Sequence, residues 1–384
     1  MSKVEITKIT DRTGSGAPNF TNGFNIAGAD SGISGFTHTE GSSEPSSPSN
    51  GDTWWDSGND IYKVYMNNAW QDFLGTSAPP VSGYNGARGF WFGGTTLGTS
   101  QRVDTIEYVA IATPGNAQDF GDLTIARWAH QGASSGARGV MAGGRDTSNN
   151  HLNVIDYITC ATAGNAQDFG DLTVARREVS GASNGTRGLI FNGREDSAGR
   201  VNTIEYVTIA NTGNATDFGD SLAARTGNTA VNGETRALNA GSYDWATDDI
   251  EYVTVDTTGN AIDFGDLTDA STKGGSAADA TRGLIALGAN TSSSPYQTNK
   301  IDYVTHANAG NATDFGDLTQ ARREQPSGCS DGTYACFGGG EDAPNSTVLN
   351  IIDRVTIQTA GNATDFGDLT SARKAVGSLA GNAA

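Results

Sequence analysis

Asp119-Phe120-Gly121-Asp122-Leu123-Thr124 is the stretch on which the fold is read, because its frame returns with phenylalanines at Phe169, Phe218, Phe264, Phe315 and Phe366. The spacings are 49, 49, 46, 51 and 51 residues. A period near 50 residues with strand-like content belongs to propeller blades, whereas helical arrays carry helix patterning that is absent here. Six copies predict six blades, so the expected fold is an all-β, six-bladed β-propeller.

Outward from the hexapeptide, four segments make one unit, laid out here on the third copy. Arg187-Gly188-Leu189-Ile190-Phe191-Asn192-Gly193 is an apolar run ending at glycine and reads as strand B. Thr203 to Ile209 alternates apolar and polar side chains, as a strand packed on one face should, and reads as strand C. The turn Gly213-Asn214-Ala215-Thr216 leads to a short strand D at Asp217-Phe218-Gly219-Asp220. Small residues such as those from Arg176 to Gly185 suit strand A, nearest the crowded axis. The chain ends with Ser371 to Leu379, an A strand with nothing after it, which predicts closure of the first blade by the C-terminus. Ala78 to Gly86 is a competing candidate for that inner strand.

Composition narrows the function. The chain has 384 residues with 52 glycines, 36% hydrophobic residues and a formal net charge of -19. No apolar run approaches the roughly 18 residues of a spanning helix, so no membrane insertion is expected. The spread negative charge repels a polyanion, which argues against nucleic acid. Three cysteines, Cys160, Cys329 and Cys336, cannot form an even disulfide framework, and the opening residues carry no apolar signal region. Folding in a reducing cytoplasm is the expectation.

The repeats resemble the Kelch family: an apolar strand ending in Gly93-Gly94, Gly143-Gly144 or Gly338-Gly339, a later tyrosine such as Tyr108 or Tyr157, an aromatic residue and an Ala-Arg. The likeness spans roughly residues 80 to 384. Departures are Phe where Kelch repeats carry Trp, Asn192-Gly193 and Leu287-Gly288 in place of the doublet, Arg354 in place of the sixth tyrosine, and Ser271 in place of the fourth arginine.

Before the repeats, residues 1–41 read as an extended attachment arm, 42–50 as a Ser/Pro linker, 51–75 as a Trp-rich β module, and 76–384 as the propeller. The module's Gly51-Asp52-Thr53-Trp54-Trp55-Asp56, its Lys63-Val64-Tyr65 strand and Trp70 resemble modules of bacteriophage tail-fibre and appendage proteins, notably those of cyanophages. Gly16-Ala17-Pro18-Asn19-Phe20-Thr21-Asn22-Gly23 has the same character. The resemblance implies a virion protein assembled in the host cytoplasm, attached to other virion proteins by its N-terminal region, and a homo-oligomer, with a trimer as the family's symmetry. Trp54, Trp55 and Trp70 are the expected attachment or self-association residues, since so small a unit cannot bury three tryptophans unaided.

Catalytic motifs dissolve on inspection. Gly132-Ala133-Ser134-Ser135-Gly136, Gly181-Ala182-Ser183-Asn184-Gly185 and Gly328-Cys329-Ser330-Asp331-Gly332 match the letters of a hydrolase nucleophile elbow, but all fall between strands A and B, where no helix follows. Asp-Phe-Gly lacks the other kinase signatures. No enzyme, no cofactor and no metal are expected; the Asp168/Asp171 and Asp314/Asp317 pairs, weighed as calcium ligands, read better as turn caps. Arginines at two registers, Arg127 and its repeats after strand D and Arg88 and its repeats before strand B, are expected to pair with Glu107, Asp156, Glu205, Glu251 and Asp302 or to bind carbonyls between blades.

The expected function is therefore a non-enzymatic tail fibre or appendage whose propeller recognises a host-surface glycan or protein; the alternative is a virion adaptor or capsid decoration. C-D turns are uniform while B-C loops vary, so the B-C end is the expected recognition face, with Tyr243, Trp245, Tyr296 and His151 as contacts.

Overall fold

A computed structural model describes residues 38–41, 43–49, 52–56, 61–66, 69–72, 82–96, 101–243, 247–289, 297–324, 327–342 and 347–383. All regular structure among them is β-strand. The chain divides into Met1–Ser77 and Ala78–Ala384.

In the second unit six sheets share one antiparallel order, A-B-C-D. Blade 3 shows it: A is Ser180–Ser183, B is Arg187–Phe191, C is Gly199–Thr208 and D is Thr216–Arg225. This D strand is longer than the four residues read from sequence. It bends past the repeated hexapeptide and pairs again with the start of C, Val201 opposite Arg225, as do the D strands of blades 4 and 5 with theirs. The sheet of the first blade is completed by Gly377–Gly381, paired from Gly377 opposite Phe92 to Gly381 opposite Arg88. Closure by the C-terminus is thus as expected, six residues further along than Ser371.

Residues 82–87 do not form the competing inner strand. Instead they cap the axis at the A-B end. Ser82 Oγ donates to Glu234, the Tyr84 hydroxyl donates to the Asp279 carbonyl at 2.9 Å, and the Gly86 N–H reaches the Ser330 carbonyl at 3.3 Å. Tyr84 is 1% exposed, a buried aromatic plug supplied by a Gly- and Ser-rich segment. A strands crowd round the axis behind it: a Cβ on Gly181 would stand 2.5 Å from the Gly132 carbonyl oxygen, and one on Gly328 equally close to that of Ser276.

Each blade interface buries one apolar cluster, such as Phe90, Phe92, Ile106, Phe120, Met141 and Ile158 between blades 1 and 2. The hexapeptide is the latch beside that cluster. Its glycines have φ between 143° and 152°, and a Cβ on Gly121 would lie 2.4 Å from the carbonyl oxygen of Gly164 in the next blade's C-D turn. The turn asparagine then accepts the N–H of the hexapeptide's second aspartate, Asn165 from Asp122 and so on round to Asn116 from Asp368, at 3.1 to 3.2 Å. The hexapeptide aspartates lie on the D strands and not in turns, and the Asp314 carboxylate accepts the Gly316 N–H at 3.0 Å.

Buried charge repeats the pattern. The arginine after strand D meets a fully buried carboxylate on strand C of the following blade: Arg127 with Asp156 at 3.1 Å, Arg176 with Glu205, Arg322 with Asp353 at 3.0 Å, and Arg373 with Glu107. Asp353 is a member the sequence reading had not named. Each carboxylate also accepts a backbone N–H from the preceding blade, Asp156 from Thr124 at 3.1 Å and Glu107 from Thr370 at 2.7 Å among them. Arg225 lies 3.9 Å from Glu251 and nearer Asp249, because Glu251 is also engaged by Asn239 at 2.6 Å. Asn239 in turn donates to Asn192, whose side-chain oxygen also takes the Ser221 hydroxyl, so Asn192-Gly193 and Ser221 depart from the repeat together. Where Ser271 replaces arginine, Asp302 keeps its bonds to Thr268 and the charge of nearby Lys300, which itself pairs with Asp269, and burial raises its pKa.

Among the described residues the second arginine register does not pair with acids. Arg88, Arg138, Arg187, Arg236 and Arg282 lie over Tyr108, Tyr157, Tyr206, Tyr252 and Tyr303 at 4.4 to 4.8 Å. They donate to carbonyls of the next blade, Arg88 to Cys160 at 2.8 Å for instance. In the sixth repeat the pair is exchanged, Arg354 from strand C lying over Tyr334 of strand B at 4.5 Å and still reaching Ala112 of blade 1. The apparent loss of a tyrosine at Arg354 is a swap.

In the first unit Thr53–Asp56, Ile61–Met66 and Ala69–Asp72 form an antiparallel meander. His38–Gly41, expected in the arm, adds to it as a parallel edge strand, so the Ser/Pro segment is its crossover.

Candidate functional site

Antiparallel A-B-C-D order places the B-C loops and D-A connections at one end of the ring. At this end the D-A connections carry a residue in the left-handed region at one register: Ala129, Glu178, Gly227, Lys273, Glu324 and Ala375, with φ from 51° to 62°. Five of their N–H groups donate to the preceding member's carbonyl, from Ala375 to Glu324 at 2.8 Å, Ala129 to Ala375 at 3.2 Å and Glu178 to Ala129 at 2.7 Å through to Lys273 to Gly227 at 2.6 Å. They make a backbone collar about the axis.

Three of the collar residues, Glu178, Lys273 and Glu324, are charged. Lys273 Nζ is 3.0 Å from both carboxylate oxygens of Glu324 and 4.0 Å from the centroid of Tyr243. Burial opposes its charge, but Glu324 and Glu178 outweigh burial and raise its pKa. Tyr243, expected as a contact, is 42% exposed beside it. His151 is held between Arg177 Nε at 3.0 Å and Asp196 at 3.2 Å; burial and then the surrounding arginines, partly offset by Asp196, lower its pKa, so it serves as a neutral spacer in the loop cluster. Trp245 and Tyr296 lie outside the described residues.

The ends differ in where their cations lie. The propeller's lysines and arginines outside the two internal registers are Arg102, Arg145, Arg177, Arg194, Arg200, Lys273, Lys300, Arg323 and Lys374, and all lie in B-C loops, D-A connections or adjoining strand ends. The opposite end exposes the first aspartate of every hexapeptide, Asp119, Asp168, Asp217, Asp263, Asp314 and Asp365. One face of a strongly acidic chain therefore collects the available cations, a difference invisible in net charge.

The elbow-like serines sit on A strands, where Ser183 donates to the Ser134 carbonyl at 2.5 Å and Ser330 to that of Ala278 at 2.6 Å. Those hydroxyls tie inner strands together. Among the described residues the carboxylates close enough to share a cation are Asp248, Asp249 and Asp266, and Arg225 already stands 3.3 Å from Asp249. In the N-terminal unit Trp54 is 4% exposed and meets Trp70 edge-on at 5.6 Å, and Tyr65 also meets Trp70 edge-on at 5.4 Å. Two of the three expected attachment residues are thus packed together; the side chain of Trp55 is outside the described residues.

The site belongs to a six-bladed β-propeller with a small β-rich N-terminal unit. No family model matches the chain, and no curated protein matches it.

Proposed function

We propose that the chain is a bacteriophage virion protein, a tail fibre or related appendage, whose propeller meets a host-surface glycan or protein through its B-C end. The N-terminal region attaches it to other virion proteins and joins copies of the chain, with Trp54, Trp55 and Trp70 as the attachment or self-association residues and trimeric symmetry by resemblance. The Kelch likeness of the repeats fits a scaffold chosen for its variable loops. The observation that carries the reading is the division of the two ends: latches repeat almost without change at the C-D end, while varied loops, cations outside the latches and exposed Tyr243 gather at the other. A rigid ring that varies at one end only is suited to recognition.

A density map of the intact virion tests this. The expected result is a distal ring with its B-C end outward. A ring flat against the capsid, or with that end covered by another virion protein, would favour the adaptor or decoration role instead.

A further inference from the structure

Most arginines of the propeller are spent on internal pairs; three at the B-C end are not. Among the described residues no carboxylate lies within ion-pair distance of Arg102, Arg145 or Arg194, although the chain as a whole is strongly acidic. Arg102 is 8% exposed and its Nε has no partner, while its terminal nitrogens bond the Asp146 carbonyl and the Asn149 side chain. Burying a guanidinium without a counter-charge is costly and ordinarily avoided.

The three are contiguous. Arg145 pairs with Trp128 along a short strand and with His151 across the loop, and Arg177 exchanges backbone bonds with Arg194 at 3.1 and 2.8 Å. Arg102 and Arg177 both face the Trp128 ring, at 5.7 and 5.8 Å. Mutual repulsion registers in the group: burial first, and then Arg145 and to a lesser degree Arg177, lower the pKa of Arg102, with Asp146 only partly offsetting them. Three nearby acids are engaged elsewhere, and the charge of Glu195 acts on Arg176. Asp146 accepts the N–H groups of Ser148 and Asn150 at 2.8 Å, Glu178 holds Arg177 at 2.8 Å, and Asp196 holds His151.

We propose that Arg102, Arg145 and Arg194 form a site for an anionic sugar, whose carboxylate or phosphate group supplies the missing counter-charge while Asn149 and Asp196 meet its hydroxyls. Guanidinium forks match both groups bidentately. A polyanionic nucleic acid is disfavoured by the charge of the rest of the chain. The inference rests on the recognition reading above and names its ligand class.

The full-length chain would be titrated calorimetrically at low ionic strength with trigalacturonic acid, mannose 6-phosphate and neutral maltotriose. Binding of one or both anionic sugars is expected, the stronger one identifying the anion, with none of maltotriose and weakening as salt is raised. Arg145→Gln with Arg194→Gln, both outside the core, should keep the melting temperature and weaken binding by about tenfold or more. Arg102→Lys, which keeps charge but loses the fork, should also weaken it. Equal binding of maltotriose, unchanged affinity in the double variant, or failure of both anionic sugars to bind would overturn the inference. A parallel measurement of labelled chain on host cells separates the two levels: cell binding that survives the double variant sinks the anionic site and spares the recognition reading, and no cell binding by the unmodified chain sinks both.

Discussion

Arg373 lies against Glu107 in a fully buried ion pair that joins the last repeat to the first. Arg373 also donates to the carbonyls of Gly93 and Thr105, at 3.2 and 3.1 Å, so one side chain closes the ring beside the C-terminal strand. Burial pulls its pKa down to about 10, leaving it charged at neutral pH. Arg373→Gln strands Glu107 in the interior, and thermal melts should show a loss of about 3 to 5 kcal/mol. Removing residues 371–384 should abolish cooperative melting altogether, because it exposes two sheet edges. A truncated chain that melts like the intact one would disprove closure by this segment.

Asp353 and Asp302 occupy equivalent positions with opposite consequences. Asp353→Asn deprives buried Arg322 of its counter-charge and should cost about 3 to 5 kcal/mol. Asp302 has no arginine, and burial already disfavours its charged form, so Asp302→Asn should change stability by about 1 kcal/mol or less. Denaturant titration of the two variants side by side checks this; equal losses would contradict the pairing scheme.

Gly121 and Gly164 face each other across a blade interface, yet only one needs to be glycine. Gly121→Ala forces a Cβ against the neighbouring carbonyl at a φ of 150° and should destabilise by about 2 to 4 kcal/mol. A Cβ on Gly164 meets nothing within 4 Å, so Gly164→Ala should stay within about 0.5 kcal/mol of the parent. Differential scanning calorimetry distinguishes them.

How much of this was legible follows from what repeats. Period and the orphan strand at the C-terminus yield blade number and closure, because both are properties of order along the chain. Cross-blade partners are harder: Asn165 bonding Asp122 joins residues about one repeat apart, and nothing in spacing says whether a polar side chain serves its own blade or the next. Tyr84 was missed since it stands in a stretch without alternation, and its value comes only from six blades meeting at the axis. The arginine pairs were half legible, as the acids other than Asp353 were named but the stacking on tyrosine was not. Of the expected contacts, Tyr243 is exposed at the B-C end and His151 is packed in its loops, while the cations there had gone unremarked because net charge hides their gathering at one end.

His306 is buried, its ring nitrogens lack partners among the described residues, and burial lowers its pKa to about 4. The unfolded chain takes up its proton near pH 6.5 whereas the folded chain resists until about pH 4, so stability should be full above that window and fall through it as pH drops. The loss from this residue is roughly 2 to 3 kcal/mol. Melting temperatures of His306→Phe should decline less between pH 6.5 and 4 than those of the parent; parallel slopes would rule this histidine out.

Recognition through the B-C end is tested most directly by whether the purified full-length chain competes with virions for host cells. The account predicts that the chain blocks adsorption. It further predicts that Tyr243→Ala combined with Arg145→Gln and Arg194→Gln abolishes the block at unchanged melting temperature, whereas Asp119→Asn with Asp168→Asn at the opposite end leaves it intact. Blocking that survives the B-C variant, or is lost only with the opposite-end variant, would contradict it.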